Sequence, residues 1–148
     1  ENARLYADLQ ATGDDYRTLY DSANEGLFRI TGDGVLIRAN PTLGRILGFD
    51  STDALLGDYR DLLGRVFLKK DRAQELMSLL DETGVADAFE AEGVTRDGKT
   101  FWMSLNARVN QDPNQGEVID GSVIDISARV ERGQAEKQRQ IAEAATAA

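Results

Sequence analysis

Apolar positions change their spacing several times along the chain, and each change marks an element. Two short runs, Leu27-Phe28-Arg29-Ile30 and Val35-Leu36-Ile37, flank Asp33-Gly34. An Asp-Gly dipeptide between apolar, partly β-branched runs is the strongest short hairpin signal, so an antiparallel pair is expected here. Asn40-Pro41 follows. The Asn side-chain oxygen suits the first free amides of a helix, and Pro costs nothing at the first helical position, where the N–H has no partner in any case. Leu43, Ile46 and Leu47 then share one helical face, and Gly48 offers a left-handed stop.

Thr52 to Leu56 and Asp61 to Phe67 read as short helical pieces, and a longer helix from about Lys70 to Glu82 carries Leu76, Met77, Leu79 and Leu80 before Gly84 ends it. The period then switches to two. Phe89 and Ala91 alternate with Glu90 and Glu92; after Asp97-Gly98, the residues Phe101, Met103, Leu105, Ala107 and Val109 alternate with Trp102, Ser104, Asn106 and Arg108. That is the pattern of strands with one apolar face. Asp112 to Gly116 turns the chain again, Val118 to Ile126 forms the last strand, and a charged helix starts at Ser127. Upstream, Glu1 to Ala11 reads as a helix with Leu5, Tyr6 and Leu9 on one side. Thr12-Gly13-Asp14-Asp15 interrupts it and offers an Asp as the next cap. Tyr16, Leu19, Tyr20 and Ala23, at i, i+3, i+4 and i+7, then give a second short helix. The expected architecture is α+β, with five antiparallel strands and helices inserted between the second and third.

At 148 residues the chain fits one domain plus flanking helices, and such a domain buries roughly two-thirds of its unfolded surface. It contains no Cys and no His, which removes disulfides, thiolate nucleophiles, imidazole bases and the usual zinc sites. Asp33, Asp97 and Asp112 are the acid–base candidates, but they fall in turns, where an Asp side chain serves the backbone. No catalytic residue or metal site is expected, and this stretch is not expected to be an enzyme. The net charge of -9, with basic residues scattered among acids, argues against nucleic acid and anionic membranes as partners. No apolar run approaches a membrane span and no signal-peptide pattern precedes the domain, so a cytoplasmic location without membrane insertion is expected. The start at Glu1 and the alanine-rich end read as part of a longer protein.

The block LFRITGDGVLIRANPTLGRILGF (Leu27 to Phe49), followed by TRDGKTFW (Thr95 to Trp102) and VIDIS (Val123 to Ser127), resembles the PAS domain, a small sensory module of bacterial signalling proteins. The resemblance covers about Asp14 to Arg132 and implies the PAS fold with flanking helices at both ends. Residues 1–13 would form a linker helix, in which Asn2 to Gln10 resembles the last helix of an upstream GAF domain; 14–127 would be the PAS domain; 128–148 would be a signalling helix leading to an effector outside the chain. The run AEKQRQIAEAATAA resembles the linker into the dimerisation helix of sensor histidine kinases, and similar linkers precede nucleotide cyclases. A sensory role in a two-component phosphorelay is implied, with a cyclase regulator as the alternative.

In a PAS fold the inserted helices cover one sheet face and can enclose a ligand. The alternation places Phe28, Ile30, Phe89, Ala91, Met103, Leu105 and Val123 on the sheet side of that space. Leu43, Ile46, Leu47, Leu62, Val66, Phe67, Leu76, Met77 and Leu80 lie opposite. Apolar interiors are mostly filled, so plain core packing is the first reading for each and ligand contact the second. The flavin-binding LOV branch needs a cysteine in a helix that corresponds to Gly57 to Arg65, and side-chain amides where this chain has Gly93, Met103 and Val123. Without those amides a buried flavin edge would be left unpaired. Haem-binding members use a histidine, and the photoactive-yellow-protein branch a cysteine; neither residue exists here. No LOV-type flavin and no His-ligated haem is therefore expected. Flavin held in a different manner, as in redox-sensing PAS domains, stays open, a small apolar ligand would suit the lining better, and a ligand-free module that only dimerises and transmits is the rival reading.

Asp125-Ile126-Ser127 matches the family's closing Asp-Ile-Thr motif, with Ser for Thr. In the resemblance this Asp pairs with a base near the start of the output helix, for which Arg129 and Arg132 are candidates, and Ser127 can cap that helix. The plain alternative is an ordinary strand-to-helix junction with a weak surface pair. Beyond it Ile126, Val130, Gly133, Ile141 and Ala144 supply only a weak seam, so the helix needs a partner or a following domain. Trp102 falls by parity on the outer sheet face, where either its own flanking helix or a second subunit would cover it. A homodimer through that face and the flanking helices is expected.

Overall fold

The computed structural model describes residues 13–147, with side chains from Thr18 to Ala142. The expected helix over Glu1 to Ala11 lies outside the described residues. The elements are α1 (Gly13–Ser22), β1 (Gly26–Thr31), β2 (Leu36–Ala39), α2 (Pro41–Leu47), α3 (Thr52–Asp58), α4 (Leu62–Val66), α5 (Lys70–Thr83), β3 (Val85–Val94), β4 (Thr100–Asp112), β5 (Gly116–Asp125) and α6 (Ser127–Ala147). The five strands form one antiparallel sheet in the order β2-β1-β5-β4-β3. The first and last strands of the chain thus lie side by side at its centre, and α2 to α5 fill the long connection between β2 and β3.

Both Asp-Gly turns are built the same way. Gly34 N–H donates to Thr31 O at 2.8 Å while Thr31 N–H donates to Val35 O at 2.9 Å, and Gly98 with Thr95 and Lys99 repeats the arrangement. Only the glycines are left-handed, Gly34 with φ 92° and Gly98 with φ 86°, which is the geometry of a slightly longer hairpin loop. Asn40 caps α2 as expected: its Oδ1 accepts from Leu43 N–H, Pro41 follows it, and Gly48 ends the helix with φ 85°.

Two boundaries differ from the sequence reading. α1 begins at Gly13, so Asp14 and Asp15 lie within its first turn instead of ahead of it. β3 begins at Val85, ahead of the clear alternation at Phe89. A bulge between Ala86 and Phe89, with Ala88 at φ 50°, breaks the period of two and hides the first half of the strand.

The core lies between one face of the sheet and the connection helices. Leu43, Leu47, Leu55, Leu62, Val66 and Leu76 pack against Phe28, Ile30, Ala91, Met103, Leu105 and Val123 in a single buried cluster. Ile46, Met77 and Phe89, expected inside, sit only half-buried at its rim. Phe89 turns toward the outer end of α5, where Phe67 meets its ring edge-on at 6.3 Å between centroids. The exposed edges of the sheet are blunted by loop backbone: Leu68 N–H bonds Glu92 O on β3, and Leu36 N–H on β2 bonds Arg60 O.

Candidate functional site

Ile30, Leu43, Leu47, Leu62, Val66, Leu76, Met103, Leu105 and Val123, all candidates for a ligand lining, are each less than 2 % exposed and touch one another. Phe28, Phe67, Leu80 and Ala91 are buried with them. Met77 and Leu80 also line a 240 Å³ cleft at the far end of α5, beside Gly32, Val109 and Ile119. Of the positions aligned with flavin-binding amides, Gly93 faces Phe101 across the β3–β4 pair. The Phe101 ring occupies the space a side chain there would need, 2.8 Å from where a Cβ would stand.

Where the chain enters the domain, Asn40 joins three elements. Its Oδ1 accepts from Leu43 N–H at 3.0 Å and Leu27 N–H at 2.8 Å, and its Nδ2 donates to Tyr20 O at 3.0 Å and Glu25 O at 2.9 Å. Thr42 adds a hydroxyl bond to Ala23 O at 2.6 Å. The cap of α2 was legible from the sequence; the hold on α1 was not, because the atoms it reaches are backbone carbonyls that any residue carries.

Where the chain leaves, β5 passes into α6 through a joint locked to β4. Ile126 N–H donates to Trp102 O at 2.8 Å, and Trp102 N–H donates to Ser127 Oγ at 3.0 Å. Ser127 therefore ties the helix to the neighbouring strand instead of capping it. The cap is Asp125, whose Oδ1 accepts from Ser127 N–H at 2.9 Å. With its carboxylate turned to its own helix, Asp125 does not meet Arg129, which instead reaches Glu90 on β3 at 2.8 Å. Arg132 is exposed one turn further on. Trp102 is partly covered and lines a 220 Å³ cleft with Lys69, Arg72, Glu90 and Glu92. Asp125 is exposed and holds one capping bond, so Asp125→Ala should cost the domain about 1 kcal/mol or less in denaturant unfolding.

A third cluster sits on the outer sheet face. Arg29 lies directly across from Asp120 in the β1–β5 pair, donates Nε to its Oδ1 at 2.6 Å and Nη2 to its Oδ2 at 3.0 Å, and donates Nη1 to Asp112 at 2.8 Å. Asn110 Nδ2 adds a bond to Asp120 at 2.8 Å. Burial pushes the Asp120 carboxyl up, but the hydrogen bonds from Arg29 and Asn110 outweigh it and the net shift is down. Asp112, the expected turn residue, accepts the backbone N–H groups of Asn114 and Gln115, and these, with Arg29, also hold it below its ordinary value. Carboxyls depressed on folding stabilise above their unfolded pKa, and that stability is lost as pH falls through the folded value. The stability advantage of the wild type over Arg29→Met should therefore be full at neutral pH and shrink as the pH falls below about 4. Parallel denaturant curves across that range measure it; an advantage constant with pH would show the network to be electrostatically idle.

A family model described as PAS domain matches residues 24–128. No curated protein sequence matches the chain. Among solved structures, a PAS domain from a two-component sensor histidine kinase superposes with a TM-score of 0.63 at 15 % identity, over 83 % of this chain and 98 % of that one. A domain of the sensory box sensor histidine kinase/response regulator from Geobacter sulfurreducens gives 0.60 at 22 %, over 76 % and 92 %. The PAS domain of a LuxR-family transcriptional regulator from Burkholderia thailandensis, in complex with ethanol, gives 0.59 at 19 %, over 76 % and 97 %. Among the described residues no helix is long and apolar enough to cross a membrane. With its fold, strand order and closing Asp-Ile-Ser segment all accounted for by one family, the chain belongs to the PAS domains, which are sensory modules of signalling proteins.

Proposed function

We propose that this domain is the sensory and transmitting module of a sensor histidine kinase, passing changes in its sheet to the effector through α6. One observation carries the reading: the joint at Trp102, Ile126 and Ser127 fastens the first turn of α6 to β4 by two hydrogen bonds, ahead of a helix exposed from Glu131 to Ala142. A helix fixed at one end and exposed from Glu131 to Ala142 moves as the strand beneath it moves. The close-packed interior favours transmission without a bound ligand. A second reading, a small apolar ligand admitted by rearrangement around Met103 and Leu76, is supported by the wholly apolar character of that cluster and by the ethanol complex of the structural relative. Regulation of a nucleotide cyclase would use the same joint.

No LOV-type flavin and no His-ligated haem belong to this reading, since the flavin-amide positions are Gly93, Met103 and Val123 and the chain lacks Cys and His. The functional unit is a homodimer joined by the flanking helices and the outer face around Trp102, in a cytoplasmic parent protein that carries a GAF-like domain upstream and the effector downstream. A native mass spectrum of the purified domain should show a dimer at the mass of the bare polypeptide, and its solution should be colourless. Extra mass would establish the ligand-bound reading, visible absorbance would overturn the cofactor argument, and a monomer at high micromolar concentration would overturn the dimer. Transfer of phosphate from ATP to the intact parent separates kinase from cyclase.

A further inference from the structure

We propose that Glu90 is a latch between α5, the sheet edge and the output helix, so that displacement of α5 over the core is felt in the first turn of α6. The inference rests on the transmitting role argued above and names the side chains through which it runs. Glu90 is engaged from two sides. Its carboxylate accepts from Arg129 Nη2 of α6 at 2.8 Å, and its backbone carbonyl accepts from Arg72 Nη2 of α5. Arg72 is itself held in place, its guanidinium 4.0 Å above the Phe89 ring and its Nη1 2.6 Å from Glu75. The consecutive elements α5 and β3 and the distant α6 are thereby joined in series at one strand residue.

The position of the pair along α6 is what gives it consequence. Every residue from Glu131 to Ala142 is exposed, so the Arg129–Glu90 contact stands at the point where the helix parts from the domain. Both side chains are more than half exposed, at 61 % and 51 %. A pair in that setting adds little to stability and is screened by salt, so it forms or opens at small cost. Such a contact is poor glue and a good latch: geometry decides whether it is closed. The Asp125 pairing that the family resemblance implies is not made, because that carboxylate caps its own helix, and Glu90 takes the arginine instead.

The test is amide hydrogen exchange on the 148-residue chain, read at residues 128–134, with β5 as the internal control. Glu90→Gln and Arg129→Gln should each speed exchange there two- to five-fold, roughly the scale of an exposed pair, with β5 unchanged. The double variant should be no faster than either single one, since both remove the same contact. Arg72→Met, which does not touch α6, should produce the same loosening in the wild-type background and none in Arg129→Gln. Additive effects in the double variant, or an Arg72→Met effect confined to α5, would overturn the latch. If the cycle closes as described but Glu90→Gln leaves the output of the intact parent unchanged, the latch stands and the transmitting role fails.

Discussion

Replacing Asn40 by Ala should lower the unfolding free energy by about 3 kcal/mol, among the largest effects expected of any polar residue in the domain. The side chain is fully buried and all four of its hydrogen-bonding positions are used. Loss of the helix cap alone accounts for about 1 kcal/mol. Leaving Leu27 N–H and the carbonyls of Tyr20 and Glu25 without their partner adds roughly 1 to 3 kcal/mol, since that desolvation is no longer offset. Asn40→Asp should do no better, because it keeps the acceptor oxygen but sets a second oxygen against two carbonyls. Urea titration of the three proteins measures the series. A cost below about 1 kcal/mol for Ala would mean that the residue acts only as a surface-type cap and that α1 is held by other means.

Gly121→Ala should be comparably damaging for the opposite reason. Gly121 faces Phe28 across the β1–β5 pair, and a Cβ there would stand 2.4 Å from the Phe28 ring and 2.7 Å from the backbone oxygen of Asn106. The ring is buried and the oxygen belongs to the neighbouring strand, so neither retreats without repacking the centre of the sheet. Overpacking of this kind costs about 1 to 3 kcal/mol, and the clash with backbone places it at the upper end. Shortening the aromatic should relieve part of the strain: Phe28→Leu ought to cost less in the Gly121→Ala background than in the wild type. Equal costs in the two backgrounds would show that the methyl group is accommodated elsewhere.

The fold was legible because its punctuation is local. Asp33-Gly34, Asn40-Pro41, Gly48, Gly84 and Asp97-Gly98 each constrain the backbone by themselves, and the strict alternation from Phe101 to Val109 fixes the faces of β4. What the sequence concealed depends on register. The pairing of Arg29 with Asp120 and the clash at Gly121 exist only once β1 and β5 are aligned, and nothing local announces them. The same holds for Glu90. Its charge reads as the wet face of a strand, and only the nearness of β3 to the start of α6 turns it into a partner for Arg129. Sequence alone gives Ser127 the commonest task of a serine at a helix start, but the N–H of Trp102 on β4 takes its oxygen. Periodicity places Ile46, Met77 and Phe89 inside, but it reports a face and not a depth; Leu47, Leu76 and Ala91 occupy the interior.

The most direct measurement of the central claim is the output of the intact parent protein carrying Asp125→Ala, recorded with and without its stimulus. Because Asp125 sets the first turn of α6 while contributing little to the fold, the substitution should alter the basal output and flatten the response, although the isolated domain unfolds within about 1 kcal/mol of the wild type. Unchanged output with an unchanged response would contradict the account, since the strand-to-helix joint would then carry no signal.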